Sequence, residues 1–220
     1  MPTLAAKRPA HQRPKPPKRL QKPTLSKGSI EICILAGGKS RRMGRDKAAL
    51  LLDGVSLLGR IRATAKNTGR PTRVIKRDLA PGNGPLGGIY TALKTSACRS
   101  ILFMACDMPL VTPQILQRLL DEFRQGTSLF VSTGAGVGFP FILDSATLPS
   151  VERQLASGQY SIQSLAKRLR ARVFRPPPSW RQNFLNANTP GEWKRFRLAW
   201  SRLVAEGRRR TGPISESMNQ

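Results

Sequence analysis

The chain has 220 residues, 39% of them hydrophobic, and sets 38 Lys or Arg against 12 Asp or Glu, for a formal net charge of +26. That length allows one domain of ordinary size with tails, and no apolar run approaches the ~18–20 residues of a membrane span. The excess of cations points to anionic partners (nucleotides, nucleic acid or an anionic surface), set against the plainer role of keeping a basic chain soluble.

Residues 1–28 carry eight cations and no acid, with prolines spread among them. A segment so poor in apolar groups cannot offset its ordering entropy, so a disordered arm is expected, with the capacity for weak contact with nucleic acid or an anionic surface. Cys33, Cys98 and Cys106 show no C-x-x-C spacing, and the one histidine, His11, lies in this arm, which argues against a zinc site. An odd number of thiols without a framework fits a reducing, cytoplasmic setting. The start of the chain lacks the apolar stretch of a secretory signal.

Residues 30–36 read as the first strand, apolar on both faces apart from Glu31, as in a central parallel strand. It feeds a loop with two glycines, Gly37 and Gly38, and five basic residues, Lys39, Arg41, Arg42, Arg45 and Lys47. Asp53-Gly54 is a turn pair, and Ser56 is placed to cap a helix over 56–67 that Gly69 and Pro71 stop. A strand over 72–75 follows, then Asp78 and a glycine-rich turn over 81–88, with a helix from Ile89 to about Thr95. Residues 100–106 are the clearest buried strand, ending at Asp107. Thr112 caps the next helix with Pro113 at its first position. Strands are expected over 127–132, 138–143, 171–174 and 183–186, and helices over 146–157, 161–169 and 189–204, with a disordered tail over 205–220. The folded domain is therefore placed at 29–204. Trp180, Trp193 and Trp200 read as packing residues rather than a platform for bases.

Strands alternating with helices predict an α/β fold, three layers deep, with a mostly parallel sheet. Ligands of such sheets sit beyond the carboxyl ends of the strands. The basic loop, the 81–88 turn and Asp107 all fall at such ends and are expected to converge. The loop has neither Walker A spacing nor the G-x-G-x-x-G fingerprint. A basic loop with an Asp at a strand end points instead to a nucleoside triphosphate and a metal. Gly37 and Gly38 let backbone amides approach phosphates. Lys47 or Arg42 can neutralise a leaving phosphate. Asp107 is a hard oxygen ligand suited to Mg²⁺; the other role open to it is a helix cap before Pro109.

The run from Leu35 to Lys47, Leu-Ala-Gly-Gly-x-Ser-x-Arg-Met-Gly-x-Asp-Lys, resembles the opening motif of the molybdenum cofactor guanylyltransferases, members of the nucleotidyltransferase superfamily. The resemblance continues in Gly84-Pro85-Leu86-Gly87-Gly88-Ile89, in Cys106-Asp107-Met108-Pro109-Leu110 and in Phe184-Leu185-Asn186-Ala187-Asn188-Thr189-Pro190. It implies a three-layer, Rossmann-like nucleotidyltransferase fold and Mg²⁺-dependent transfer of GMP from GTP to molybdopterin-bound molybdenum cofactor, releasing pyrophosphate. By position, Leu35, Ala36 and Gly37 would hold the guanine and ribose, Lys47 a phosphate, Asp78 the nucleotide, Asp107 GTP and Mg²⁺, and Asn186 and Asn188 the metal and acceptor side.

Two departures from the family pattern stand out. The segment between the first helix and the strand at 72–75 is reduced to Thr68-Gly69-Arg70-Pro71, so one strand of the sheet and its nucleotide-contacting Asn are missing. The hairpin around 132–140 is also short. Two other readings remain beside the leading one: a nucleotidyltransferase with another nucleotide or acceptor, and a non-catalytic nucleotide- or RNA-binding relative.

Overall fold

The computed structural model describes residues 26–37, 47–134, 136–185 and 190–210. Alternation along the strands decides the layers. In β1 (Ser26–Leu35) and β5 (Cys98–Ala105), Ile32, Ile34, Leu102 and Met104 face one cluster, while Cys33, Leu35, Ile101 and Phe103 face the other. A strand with apolar residues on both faces must be covered on both. On the first face lie α1 (Leu57–Lys66) and α3 (Pro113–Glu122), which bury Ile61, Ala65, Ile115, Leu116 and Leu119. On the second lie α2 (Gly84–Thr95), α4 (Leu148–Ala156) and α5 (Ile162–Arg168), which bury Leu86, Ile89, Ala92, Val151 and Leu165.

The main sheet has six strands, including β4 (Thr72–Ile75), β6 (Ser128–Ser132), β7 (Val137–Asp144) and β8 (Arg172–Phe174), in the order β4-β1-β5-β7-β6-β8. β1 pairs in parallel with β4 and β5, and β6 in parallel with β8, while β7 runs antiparallel between β5 and β6. The expected three-layer, mostly parallel fold is what forms. β4 is the edge strand beside β1, and only Asn67–Pro71 separates it from α1. Among the described residues no strand lies outside β4.

Local signals placed most boundaries. Ser56 caps α1, its Oγ accepting from Gly59 N at 3.0 Å. Thr112 caps α3 with Pro113 in its first turn. Three expectations need correction. α2 starts at Gly84 rather than Ile89. Pro85 lacks an N–H, but the first turn leaves its N–H groups without helical partners anyway, so the glycine-rich turn runs into the helix. The strand expected over 183–186 is not formed at 183–185: Pro178–Phe184 is a 3-10 helix. Trp180 and Phe184 both pack on the first cluster, and Pro178 sits in the first turn, where a missing N–H costs nothing. The last helix, α6 (Pro190–Arg210), continues past the expected end at 204. The tails 1–25 and 211–220 lie outside the described residues.

A small antiparallel hairpin, β2 (Leu51–Leu52) and β3 (Val55–Ser56), stands apart from the main sheet. A third cluster joins it to the rest: Leu52 and Leu57 pack with Leu110, Phe196 and Ala199, flanked by Leu50, Leu185, Trp193 and Trp200. The tryptophans are thus packing residues, as expected.

Candidate active site

β1, β4 and β5 end together at one edge of the sheet. Ala36 N donates to Ile75 O at 2.9 Å, and Cys106 N donates to Leu35 O at 3.2 Å, so the ladder persists to the point where the loops depart. Beyond that edge the chain turns back over itself at Asp78, and three glycines make room for the carboxylate. A Cβ on Gly37 would sit 3.6 Å from Asp78 Oδ1 and 3.2 Å from Lys76 O. One on Gly88 would sit 3.3 Å from Asp78 Oδ1 and 3.1 Å from Leu35 Cδ2. One on Gly87 would come to 3.2 Å from Asp78 Oδ2 and 2.4 Å from Ala80 O, a distance no side chain tolerates against backbone. The glycines of the first and second motifs thus meet around one acid, as their strand-end positions predict.

Burial pushes the pKa of Asp78 above its ordinary value, because the charged form loses solvent. Asp78 accepts no hydrogen bond among the described residues, so its oxygens remain available to a ligand. The turn that carries it is pinned from α2. Leu79 N donates to Thr91 Oγ1 at 2.8 Å, and that hydroxyl donates to Gly87 O at 2.8 Å. Asn83 precedes the first turn of α2 without capping it by its side chain, and instead donates through Nδ2 to Ala80 O at 3.1 Å.

Asp107 stands at the same edge, in the turn after β5 and next to the residue whose N–H reaches Leu35 O. It is not a helix cap, since Thr112 Oγ1 accepts from Ile115 N at the start of α3. The loop after Asp107 is held at Leu110: buried Asn183 donates through Nδ2 to Leu110 O at 2.7 Å. Asn183 in turn lies just before the fourth motif.

Leu35 is buried at the end of β1, Ala36 is half-buried and Gly37 exposed, all bordering the Asp78 turn. Lys47 opens the 3-10 turn Lys47–Ala49 that leads into the β2–β3 hairpin. Gly38, Arg42, Asn186 and Asn188 lie outside the described residues. Sequence reasoning missed Thr91 and Asn183, which position the site without belonging to any motif. A Thr inside a helix four residues after a glycine is the only hint the first one offers. Among the described residues no group of three His, Cys, Asp or Glu could cage a metal. No described helix is long and apolar enough to cross a membrane.

A family model described as a MobA-like NTP transferase domain matches residues 32–173. A protein of Opitutus terrae named probable molybdenum cofactor guanylyltransferase is 32% identical over 187 residues, 74% of this chain and 93% of its own. One of Syntrophotalea carbinolica named molybdenum cofactor guanylyltransferase is 31% identical over 189 residues, 74% of this chain and 89% of its own. The crystal structure of molybdopterin-guanine dinucleotide biosynthesis protein A from Archaeoglobus fulgidus shares the fold, with a TM-score of 0.66 at 24% identity, covering 78% of this chain and 99% of that one. Its strand-end acid in a glycine cradle and the match across most of its folded length agree: this chain is a nucleotidyltransferase and belongs to the family of MobA-like NTP transferase domains.

Proposed function

We propose that the chain transfers GMP from GTP to the terminal phosphate of molybdenum-loaded molybdopterin, forming molybdopterin guanine dinucleotide and pyrophosphate. The observation that carries this reading is the cradle of Gly37, Gly87 and Gly88 around Asp78, at the same carboxyl edge of the sheet that carries Asp107 after β5. The names of the relatives support guanine as the base. An acceptor phosphate oxygen attacks the α-phosphorus, and the bond from that phosphorus to the β-phosphate oxygen breaks. The nucleophile is already anionic, so no general base is needed. Positioning and charge neutralisation do the work.

Leu35, Ala36 and Gly37 hold the base and ribose, with Asp78 accepting from the nucleotide. Gly38 lets backbone amides reach the phosphates, and Arg42 and Lys47 neutralise the departing pyrophosphate. Asn186 and Asn188 face the acceptor. The donor set fits Mg²⁺, which takes one or two carboxylates and fills its remaining positions with substrate phosphates and water. Asp107 would hold it, and Mg²⁺ bound there supplies further charge neutralisation at the phosphates. None of Cys33, Cys98 and Cys106 is in a disulfide, and burial pushes the Cys33 thiol up to about 12, so it is inert at neutral pH. Cysteines outside any disulfide accord with a cytoplasmic enzyme.

Pyrophosphate release from GTP, CTP and ATP, with and without molybdenum-loaded molybdopterin, tests the reading. Release is expected with GTP and the loaded acceptor together. Asp107→Ala is expected to lower turnover by about a thousandfold, the upper range for losing one electrostatic stabiliser, with an unchanged circular dichroism spectrum. Wild-type turnover in that variant removes Asp107 from the reaction. One observation favours a second reading: β4 forms the sheet edge, so the base side is less enclosed than a further strand would make it. Faster release from CTP or ATP than from GTP would select that reading.

A further inference from the structure

The β2–β3 hairpin has two residues in each strand, too few to hold itself in place. Asp53 at its tip has φ 49°, a left-handed conformation that Asp adopts where something local secures it. The hairpin is secured from a distant part of the chain. Trp200 Nε1 donates to Asp53 Oδ2 at 2.6 Å. Arg60 Nε donates to Leu52 O at 3.1 Å, and the Arg60 guanidinium carbon lies 4.4 Å from the centroid of the Trp200 ring. One indole therefore touches both the hairpin tip and the arginine that holds its strand. Below it, Phe196 and Ala199 of the same helix pack against Leu52 and Leu57.

That helix, α6, begins at Pro190, beyond the residues 32–173 that the family model matches. The hairpin follows directly on the 3-10 turn that opens at Lys47, and Leu57 N donates to Leu50 O at 2.9 Å to close its base. Whatever fixes the hairpin fixes the backbone of Lys47. We propose that Trp200 is a positioning residue for nucleotidyl transfer: by clamping Asp53 and Arg60 it fixes the hairpin, and with it the backbone of the 3-10 turn that carries Lys47. This rests on the nucleotidyl-transfer reading and adds the C-terminal helix to the machinery that reading uses.

Trp200→Phe keeps an aromatic ring on Arg60 and removes the indole donor. Asp53→Ala removes the acceptor from an exposed turn, so it tests the clamp even if the Trp200 variant folds poorly. Each is expected to lower kcat for pyrophosphate release about tenfold, within the range for a small misplacement originating away from the chemistry, with KM for GTP changed less than about twofold. Asp53→Asn retains an acceptor and is expected to keep wild-type kcat. The double variant Trp200→Phe/Asp53→Ala is expected to be no slower than either single one, because both remove the same contact. Amide hydrogen exchange over residues 47–56 is expected to quicken in Trp200→Phe and Asp53→Ala, with the protected amides of β1 and β5 unchanged. Additive losses in the double variant, or unchanged exchange over 47–56, overturn the proposal. If wild-type protein releases no pyrophosphate from any nucleotide, the transfer reading fails, and the exchange measurement alone decides whether the clamp exists.

Discussion

Asp78 carries its charge in a place where a carboxylate is held at a cost. Burial raises its pKa, and among the described residues no donor offsets the lost hydration. The sign follows from linkage. The folded pKa lies above the unfolded one, so the penalty is absent below the unfolded value and sets in as pH rises through the folded value. Asp78→Asn is therefore expected to raise the thermal midpoint of the ligand-free protein at pH ~7, and to lose that advantage towards pH ~3. The same change is expected to weaken GTP binding by about tenfold to a hundredfold, the equivalent of a charged hydrogen bond of about 1.5–3 kcal/mol. Calorimetric titration and melts across pH check both halves, and unchanged binding would take Asp78 out of the site. This is the pattern of a functional group kept against stability. Gly87 belongs to the same arrangement, since a Cβ there would meet Ala80 O at 2.4 Å. The sequence shows the glycines, but only the folded chain shows that three of them yield space to one acid.

At the scale of elements, what holds the site is a set of bonds between segments far apart in sequence. Thr91 ties the Asp78 turn to α2, and Asn183 ties the loop after Asp107 to the 3-10 helix before the fourth motif. Thr91→Val keeps the shape and removes the acceptor, leaving Leu79 N–H unpaired. The expected loss is about 0.5–1.5 kcal/mol, the net worth of a part-buried hydrogen bond, read as a lower urea midpoint with an unchanged m-value. An unchanged midpoint would mean the Asp78 turn is secured elsewhere. Elements with local signals were legible: Ser56 and Thr112 cap where their spacing says, and residues 72–75 form a strand. The segment at the start of the fourth motif was not, because a short apolar run such as Phe184-Leu185 reads alike as strand or as the end of a helical turn, and Pro178–Phe184 forms a 3-10 helix whose Trp180 and Phe184 pack on the first cluster.

For the whole molecule, net charge of +26 sets the field a nucleotide meets. Residues 29–192 hold 23 cations against 10 acids, so a strong positive field remains without either tail. Association of GTP is expected to slow by about an order of magnitude between ~0.1 M and ~1 M salt, as the Debye length falls from about 10 Å to about 3 Å. Stopped-flow binding over that range checks it, and a salt-independent rate would mean the basic surface plays no part in capture. The layered α/β fold was determined by sequence alone, because strands apolar on both faces, alternating with capped helices, demand a helical layer on each side of the sheet. The meeting of Gly37 with Gly87 and Gly88 also follows from the sequence, since strand ends in such a sheet share one edge. Tertiary structure alone decided which groups support that edge. Thr91, Asn183 and Trp200 act across 12, 73 and 147 residues of chain. No local pattern encodes contacts of that reach, because they exist only once packing has brought the segments together.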